Sequence, residues 1–158
     1  MLIGVISDTH GYFNPQLREL FRPVELILHA GDIGAQAVID ALERIAPVVA
    51  VHGNVDSGLL AASYPSWRVE TPAGRPLLLI HRGGKELAGE PELAAILQEA
   101  RPEVVIYGHS HRAQAEWAGG VYYFNPGLGG RSRFGIRPSA GLLTVEPDRV
   151  EGEIYRLD

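Results

Sequence analysis

The chain has 158 residues, enough for one domain that buries a core without cross-links. It is 46 % hydrophobic and 21 % charged, the balance of an ordinary globular protein. Its net charge of −5 argues against a broad nucleic-acid face, and the absence of cysteine removes disulfides, thiolate metal sites and cysteine nucleophiles together. No apolar run approaches the roughly 20 residues a membrane helix needs. Met1 leads straight into a strand, with neither a basic start nor a small-residue cleavage site. These features predict a cytoplasmic domain without a membrane partner and without a strong nucleic-acid partner.

The first half alternates strand and helix. Residues 2–7 (LIGVIS) read as a strand, and residues 14–21 (NPQLRELF) as a helix with Asn14 as N-cap and Pro15 at its first position. A strand at 24–30 is followed by a helix at 35–45 that places Ala37, Val38, Ala41, Leu42 and Ile45 on one face. Residues 47–53 (PVVAVHG) are a third strand. These runs are continuously apolar, which implies strands covered on both faces, as in a parallel sheet. Right-handed crossovers then put the three strands in one sheet with the helices packed on it.

The second half changes character. Residues 67–74 and 75–81 predict a hairpin about Pro72, Ala73 and Gly74. A helix at 91–100 begins at Pro91, a strand follows at 103–111, and residues 113–127 read as a hairpin turning at Gly119-Gly120. Two last strands, 140–146 and 150–157, turn at Pro147-Asp148. The stretch from Gly127 to Ser139 is rich in Gly, Arg and Pro, and is expected to be the least ordered. The pattern predicts two mixed sheets packed face to face with helices outside, in one domain without repeats.

Seven side chains able to hold a metal stand just beyond these strands. Asp8 and His10 follow the first, Asp32 the second, Asn54 the third, His81 the run PLLLI, and His109 and His111 the run VVIYG. In open α/β sheets ligands gather in the crevice outside the carboxyl ends of the strands. With no thiolate available, a metal held there takes oxygen and imidazole donors, which suits Mn, Fe, Co, Ni or Zn. Seven donors are too many for one tetrahedral ion and about right for two ions sharing a bridge, and two-metal sites of this kind serve in-line displacement. A carboxylate can give one oxygen to each cation, so Asp32 is the candidate bridge. Singly, each residue has an ordinary explanation as a cap, a turn or a packed histidine. Their joint order on five strand ends does not.

His29 is expected to support Asp32 structurally, and His52 to be a buried, satisfied residue. Arg131, Arg133 and Arg137 form a basic segment that either meets an anionic substrate or is simply solvated.

The ordered set Asp8-x-His10, Gly31-Asp32, Gly53-Asn54-x-Asp56, His81 and Gly108-His109-x-His111 resembles the calcineurin-like metallophosphoesterase superfamily, and within it the small YfcE-type phosphodiesterases. The likeness runs from Ile3 through Asn125-Pro126-Gly127. It implies a four-layer α/β/β/α sandwich of two mixed sheets and a dinuclear centre. One metal would take Asp8, His10 and His111, the other Asn54, His81 and His109, with Asp32 bridging and with Asp32, Asn54 and His109 as catalytic residues. The implied cofactors are two divalent ions, Mn²⁺ first and Ni²⁺, Fe²⁺, Co²⁺ or Zn²⁺ as alternatives. The implied chemistry is a metal-activated hydroxide attacking phosphorus in a small phosphate ester, most simply a diester. A non-catalytic scaffold on the same fold is the alternative, since a retromer subunit that shares the fold serves as an adaptor. A homo-oligomer remains open.

The sequence departs from the family pattern at three places. Val55 stands where many relatives carry a histidine near the leaving group, Arg82 interrupts a usual His-Gly-His, and Leu128 replaces a serine after Asn-Pro-Gly.

Overall fold

A computed structural model describes residues 1–158. In chain order the elements are β1 (Leu2–Ile6), α1 (Leu17–Leu20), β2 (Leu26–His29), α2 (Gln36–Glu43), β3 (Val48–Ala50), α3 (Gly58–Ser63), β4 (Trp67–Glu70), β5 (Leu77–Ile80), α4 (Pro91–Ala100), β6 (Val104–Ile106), β7 (Gln114–Ala118), β8 (Val121–Asn125), β9 (Ser139–Glu146) and β10 (Arg149–Arg156). They form two five-stranded mixed sheets, ordered β10-β9-β1-β2-β3 and β4-β5-β6-β8-β7. In the first, β1, β2 and β3 run parallel, while β9 and β10 add an antiparallel edge. In the second, β5, β6 and β8 run parallel between antiparallel β4 and β7.

The period-2 alternation of a strand divides its side chains between two faces. Leu77 and Leu79 enter the core shared by the two sheets, with Ile3, Val5, Leu28, Val104, Ile106 and Phe124. Leu78 and Ile80 turn the other way, toward Leu93, Ile96 and Leu97 of α4. On the far side of the first sheet, Ile6 and Ile27 pack with Leu17 and Phe21 near α1 and with Val38, Ile39 and Leu42 of α2. The layers are therefore α/β/β/α, as expected. No helix is long and apolar enough to cross a membrane.

The sequence expectations differ from the structure in four segments. The helix expected at 14–21 is one α-helical turn, confined between Pro15 and Pro23, with Asn14 Oδ1 accepting the Gln16 N–H. The strand expected at 103–111 ends at Ile106, which frees His109 and His111 to turn. Helix α3 has no counterpart in the sequence pattern. It has no buried residue and opens on Gly58, so no apolar period announces it.

The fourth difference is the largest. Gly127 to Ser139 is tied down at its ends and exposed between: residues 126–130 are buried, Gly129 and Gly130 donate to the carbonyls of Ser7 and Asp8, and residues 131–135 are exposed. Beyond them Arg133 and Ile136 close a bridged turn. A segment tied by its backbone to another strand end carries no side-chain period.

The sheet-to-sheet core is tightly filled. A Cβ placed on Gly141 would meet the Phe124 ring at 2.5 Å, and Phe124 itself is fully buried. We predict that Phe124→Ala lowers the unfolding free energy by about 3–5 kcal/mol in urea titrations. A loss below about 1 kcal/mol would mean that the inter-sheet core is not close-packed.

Candidate metal centre

The loops leaving β1 and β2 are laced together. Asp8 N–H donates to Gly31 O, His10 N–H to Asp32 O and Gly11 N–H to Ile33 O, at 2.8–3.0 Å. This lacing forces unusual backbone. Asp8, His10, Asp32, His109 and His111 all have φ between 47° and 71°, a region that non-glycine residues seldom occupy. Only Ala73, Arg101 and Phe134 share that property elsewhere. Five of the seven predicted ligands are thus held in left-handed turns, and strain of this kind concentrates at functional sites.

Asp8, His10 and His111 form one convergent group, with donor atoms all within 4.8 Å of one another. Asp8 is fully buried. Its Oδ2 accepts the Ser7 hydroxyl at 2.8 Å and the His109 N–H at 3.0 Å. Its Oδ1 has no hydrogen-bond partner at all. That bare oxygen lies 3.4 Å from His111 Nε2 and 3.9 Å from His10 Nε2, and the two Nε2 atoms are 3.3 Å apart. Burial pushes the Asp8 carboxyl up to about 6, and nearby Asp32 adds to the rise against the pull of His81 and Ser7. Burial likewise lowers His10 and His111, favouring imidazoles with a free lone pair.

Asp32, His81 and His109 form a second group on the same criterion. His81 Nδ1 donates to Ala30 O at 2.7 Å, which directs Nε2 to the other side. There it meets Asp32 Oδ2 at 3.2 Å and Asn54 Oδ1 at 3.0 Å. Asn54 Oδ1 also lies 3.0 Å from His109 Nδ1. Burial opposes the charge on His81, but Asp32 and Asp8 outweigh it and raise the group. Burial also opposes the charge on Asp32; the His81 bond and the Val55 N–H prevail and lower it. The oxygens that share a proton with His81 can share a cation instead.

The donor set fits divalent cations. Buried polar atoms are nearly always paired, and a carboxylate oxygen sealed from water beside two neutral imidazoles leaves a place shaped for positive charge. The groups meet without a spacer: His81 Nε2 is 4.0 Å from Asp8 Oδ1, and the His109 N–H is bonded to Asp8.

Behind these residues stands a polar frame that the sequence revealed only in part. His29 is fully buried, and its Nδ1 accepts the Gly31 N–H at 3.1 Å. The Thr9 hydroxyl donates to Ile33 O, so its oxygen is free to accept from His29 Nε2 at 2.9 Å. The ring is therefore neutral and braces both ligand loops; burial drives it down to about 3. Asp56, part of the motif but given no role from sequence, is the strongest clamp. Its carboxylate accepts the N–H groups of Ile33, Gly34 and Gly53. Asn125 performs a similar task for the His109 loop, donating to Gly108 O and Ser110 Oγ and accepting from Gly127 N–H. Glycine is required at Gly53 and Gly108 among others: a Cβ on Gly53 would strike Asp32 Oδ1, and one on Gly108 would strike Ser7 Oγ and lie 2.6 Å from Asp8 Oδ2.

Three comparisons place this arrangement. The model of the calcineurin-like phosphoesterase superfamily domain matches residues 1–148. The chain belongs to the calcineurin-like phosphoesterase superfamily. A probable metallophosphoesterase of Methanothermobacter thermautotrophicus is 32 % identical, covering 99 % of this chain and 92 % of its own. Phosphodiesterase MJ0936 of Methanocaldococcus jannaschii is 29 % identical over 92 % of this chain and 94 % of its own. The solved structure of Vacuolar Protein Sorting 29 from Cryptosporidium parvum superposes with a TM-score of 0.81 at 20 % identity, over 99 % of this chain and 91 % of that one. The last likeness concerns the fold alone.

Within this superfamily the departures from the usual motifs have visible consequences. Val55 is 53 % exposed and contributes its backbone, donating N–H to Asp32 Oδ1 at 3.0 Å. Leu128 is fully buried, and Ser139 supplies hydrogen bonds to the neighbouring carbonyls of Pro126 and Leu128. Arg82 is exposed, and its charge bears on His109. His52 is only half-buried, its Nδ1 donating to Tyr64 O at 2.7 Å. The three arginines separate: Arg131 lies over the Tyr12 ring at 4.0 Å, Arg133 bears on His10 and His111, and Arg137 turns to Asp158.

His29 yields a pH test. Its folded value lies near 3 against 6.5 for an ordinary histidine, so the unfolded chain takes up a proton that the folded chain refuses. Its stabilising contribution is complete above pH 6.5 and is lost as pH falls toward 3. The stability difference between the native protein and His29→Gln should therefore shrink from pH 7.5 to pH 4.5 in urea titrations. A gap that stays constant, or widens in acid, would contradict a neutral His29.

Proposed function

We propose that the protein is a divalent-metal-dependent phosphodiesterase with a dinuclear centre. The observation that carries this reading is the buried, unpartnered Asp8 Oδ1 facing two imidazoles beside a second convergent group. In this reading Asp8, His10 and His111 hold one ion, Asn54, His81 and His109 hold the other, and Asp32 bridges them. Mn²⁺ is the first candidate, with Ni²⁺, Fe²⁺, Co²⁺ and Zn²⁺ as alternatives for the same donors. Bound there, a pair of divalent ions supplies charge stabilisation at phosphorus and acidifies water.

The chain's own residues do the positioning. Ser7 and the His109 N–H hold Asp8 Oδ2, which aims Oδ1 into the centre. Ala30 O holds His81 Nδ1 and so presents Nε2, while the Val55 N–H fixes Asp32 Oδ1. Asn54 offers a neutral oxygen between His81 and His109. Asp32, Asn54 and His109 are in this reading the catalytic residues. The position of Val55 carries no proton for a leaving group, so no side chain there can protonate the departing alcohol. A small diester, with one negative charge and two organic arms, suits an open site at the sheet edge, and the relative named a phosphodiesterase supports that choice.

A scaffold without catalysis is the competing reading, because the fold, shared with Vacuolar Protein Sorting 29, does not by itself separate the two. Hydrolysis of bis-p-nitrophenyl phosphate with added Mn²⁺ separates the two. We predict turnover that Asp32→Asn and His109→Ala each reduce by about 100-fold or more, the scale of several kcal/mol of lost charge stabilisation. Activity surviving both substitutions, or absent with every divalent metal, would overturn the enzyme reading. Elemental analysis should find two metal equivalents per chain, whereas none would favour the scaffold.

A further inference from the structure

A cavity of about 310 Å³ opens on the side of the centre formed by Asn54 and His81, both of which line it. Four of its lining side chains are apolar. Trp67 and Ile80, cross-strand partners on β4 and β5, meet Leu93 and Ile96, one turn apart on α4. Trp67 and Ile96 belong to the outer core yet remain half-buried, so part of each is left uncovered at the cavity. Arg82, Glu90 and Glu92 add charge at the rim, two carboxylates against one guanidinium.

This lining is selective. Ligand pockets begin near about 300 Å³, so there is room for one ring system and not for a polymer. An indole beside three aliphatic side chains suits a flat apolar face. A rim with more carboxylate than guanidinium repels a second anionic group and accepts hydrogen bonds from N–H donors. The reacting phosphoryl group would sit at Asn54 and His81, which are shared between cavity and centre.

We infer that this cavity is the subsite for one organic arm of the diester, and that it selects a flat, uncharged aromatic ring, an aryl group or a nucleobase. The inference rests on the metal-centre reading above. Trp67, Leu93 and Ile96 then set specificity, and the ring's burial there is binding energy remote from the reacting atoms.

Two phosphonates with the same head test it, phenylphosphonate and methylphosphonate, titrated calorimetrically into the Mn²⁺-loaded protein. Phenylphosphonate should bind about tenfold tighter, the effect expected from burying and stacking one ring. Trp117→Phe leaves Trp67 as the single tryptophan. In that background phenylphosphonate should quench fluorescence and methylphosphonate should not. Trp67→Leu should bring the two affinities to within about twofold by weakening only the aryl ligand. Ile96→Phe should do the same by filling the cavity, which keeps the test intact if the tryptophan variant is unstable. Equal affinities in the native pocket, or an aryl preference that survives both substitutions, would overturn the subsite while leaving the centre standing. Failure of both phosphonates to bind would overturn the metal-centre reading and this inference with it.

Discussion

One oxygen of Asp8 governs the site. Its carboxylate is sealed from solvent, and the two hydrogen bonds it accepts, from the Ser7 hydroxyl and the His109 N–H, are both on the other oxygen. The bare oxygen faces the Nε2 atoms of His111, His10 and His81 at 3.4–4.0 Å. An isolated buried carboxylate is costly, and the site has two remedies: protonation, which the upward shift of Asp8 reflects, or a cation. The neighbouring imidazoles make the cation the better answer, because their lone pairs gain from it as well.

The rest of the fold reads as the support for that arrangement. Left-handed backbone at a non-glycine residue costs about 1–2 kcal/mol, and five such residues surround the centre. They persist because the frame over-determines them. Asp56 collects three N–H groups from two loops, His29 links Thr9 to Gly31, and the Gly129 and Gly130 N–H groups bind the carbonyls at the end of β1. Two sheets packed through Phe124, Leu77 and Ile3 bring the end of β6 within hydrogen-bonding reach of the end of β1. Rigid sheets carry the donors, and short strained loops aim them.

Much of this was legible in the chain, for a physical reason. A parallel strand buried on both faces must be apolar throughout, so a polar residue just past its end stands out. Asp8, His10, Asp32, Asn54, His81, His109 and His111 all announced themselves that way, and the structure gathers all seven at one edge. The layers followed from the alternation of strands and helices. What stayed hidden depended on contacts between distant backbones. Asp56 was one motif letter until its three N–H partners came into view, and Gly129 and Gly130 belonged to a stretch without apolar period. Helix α3, six residues with none buried, had no pattern to read. The division of the donors into two groups rested on the family resemblance alone, since spacing along the chain does not say that His109 faces Asn54 while His111 faces Asp8.

In the proposed reading the bare oxygen of Asp8 and its neighbours form a cation-binding centre. Anomalous scattering from crystals grown with Mn²⁺ tests it most directly. Two manganese peaks are expected, one among Asp8, His10 and His111 and one among Asn54, His81 and His109, with Asp32 between them. A map without manganese at Asp8 Oδ1, or with the ion bound only elsewhere on the surface, would contradict it.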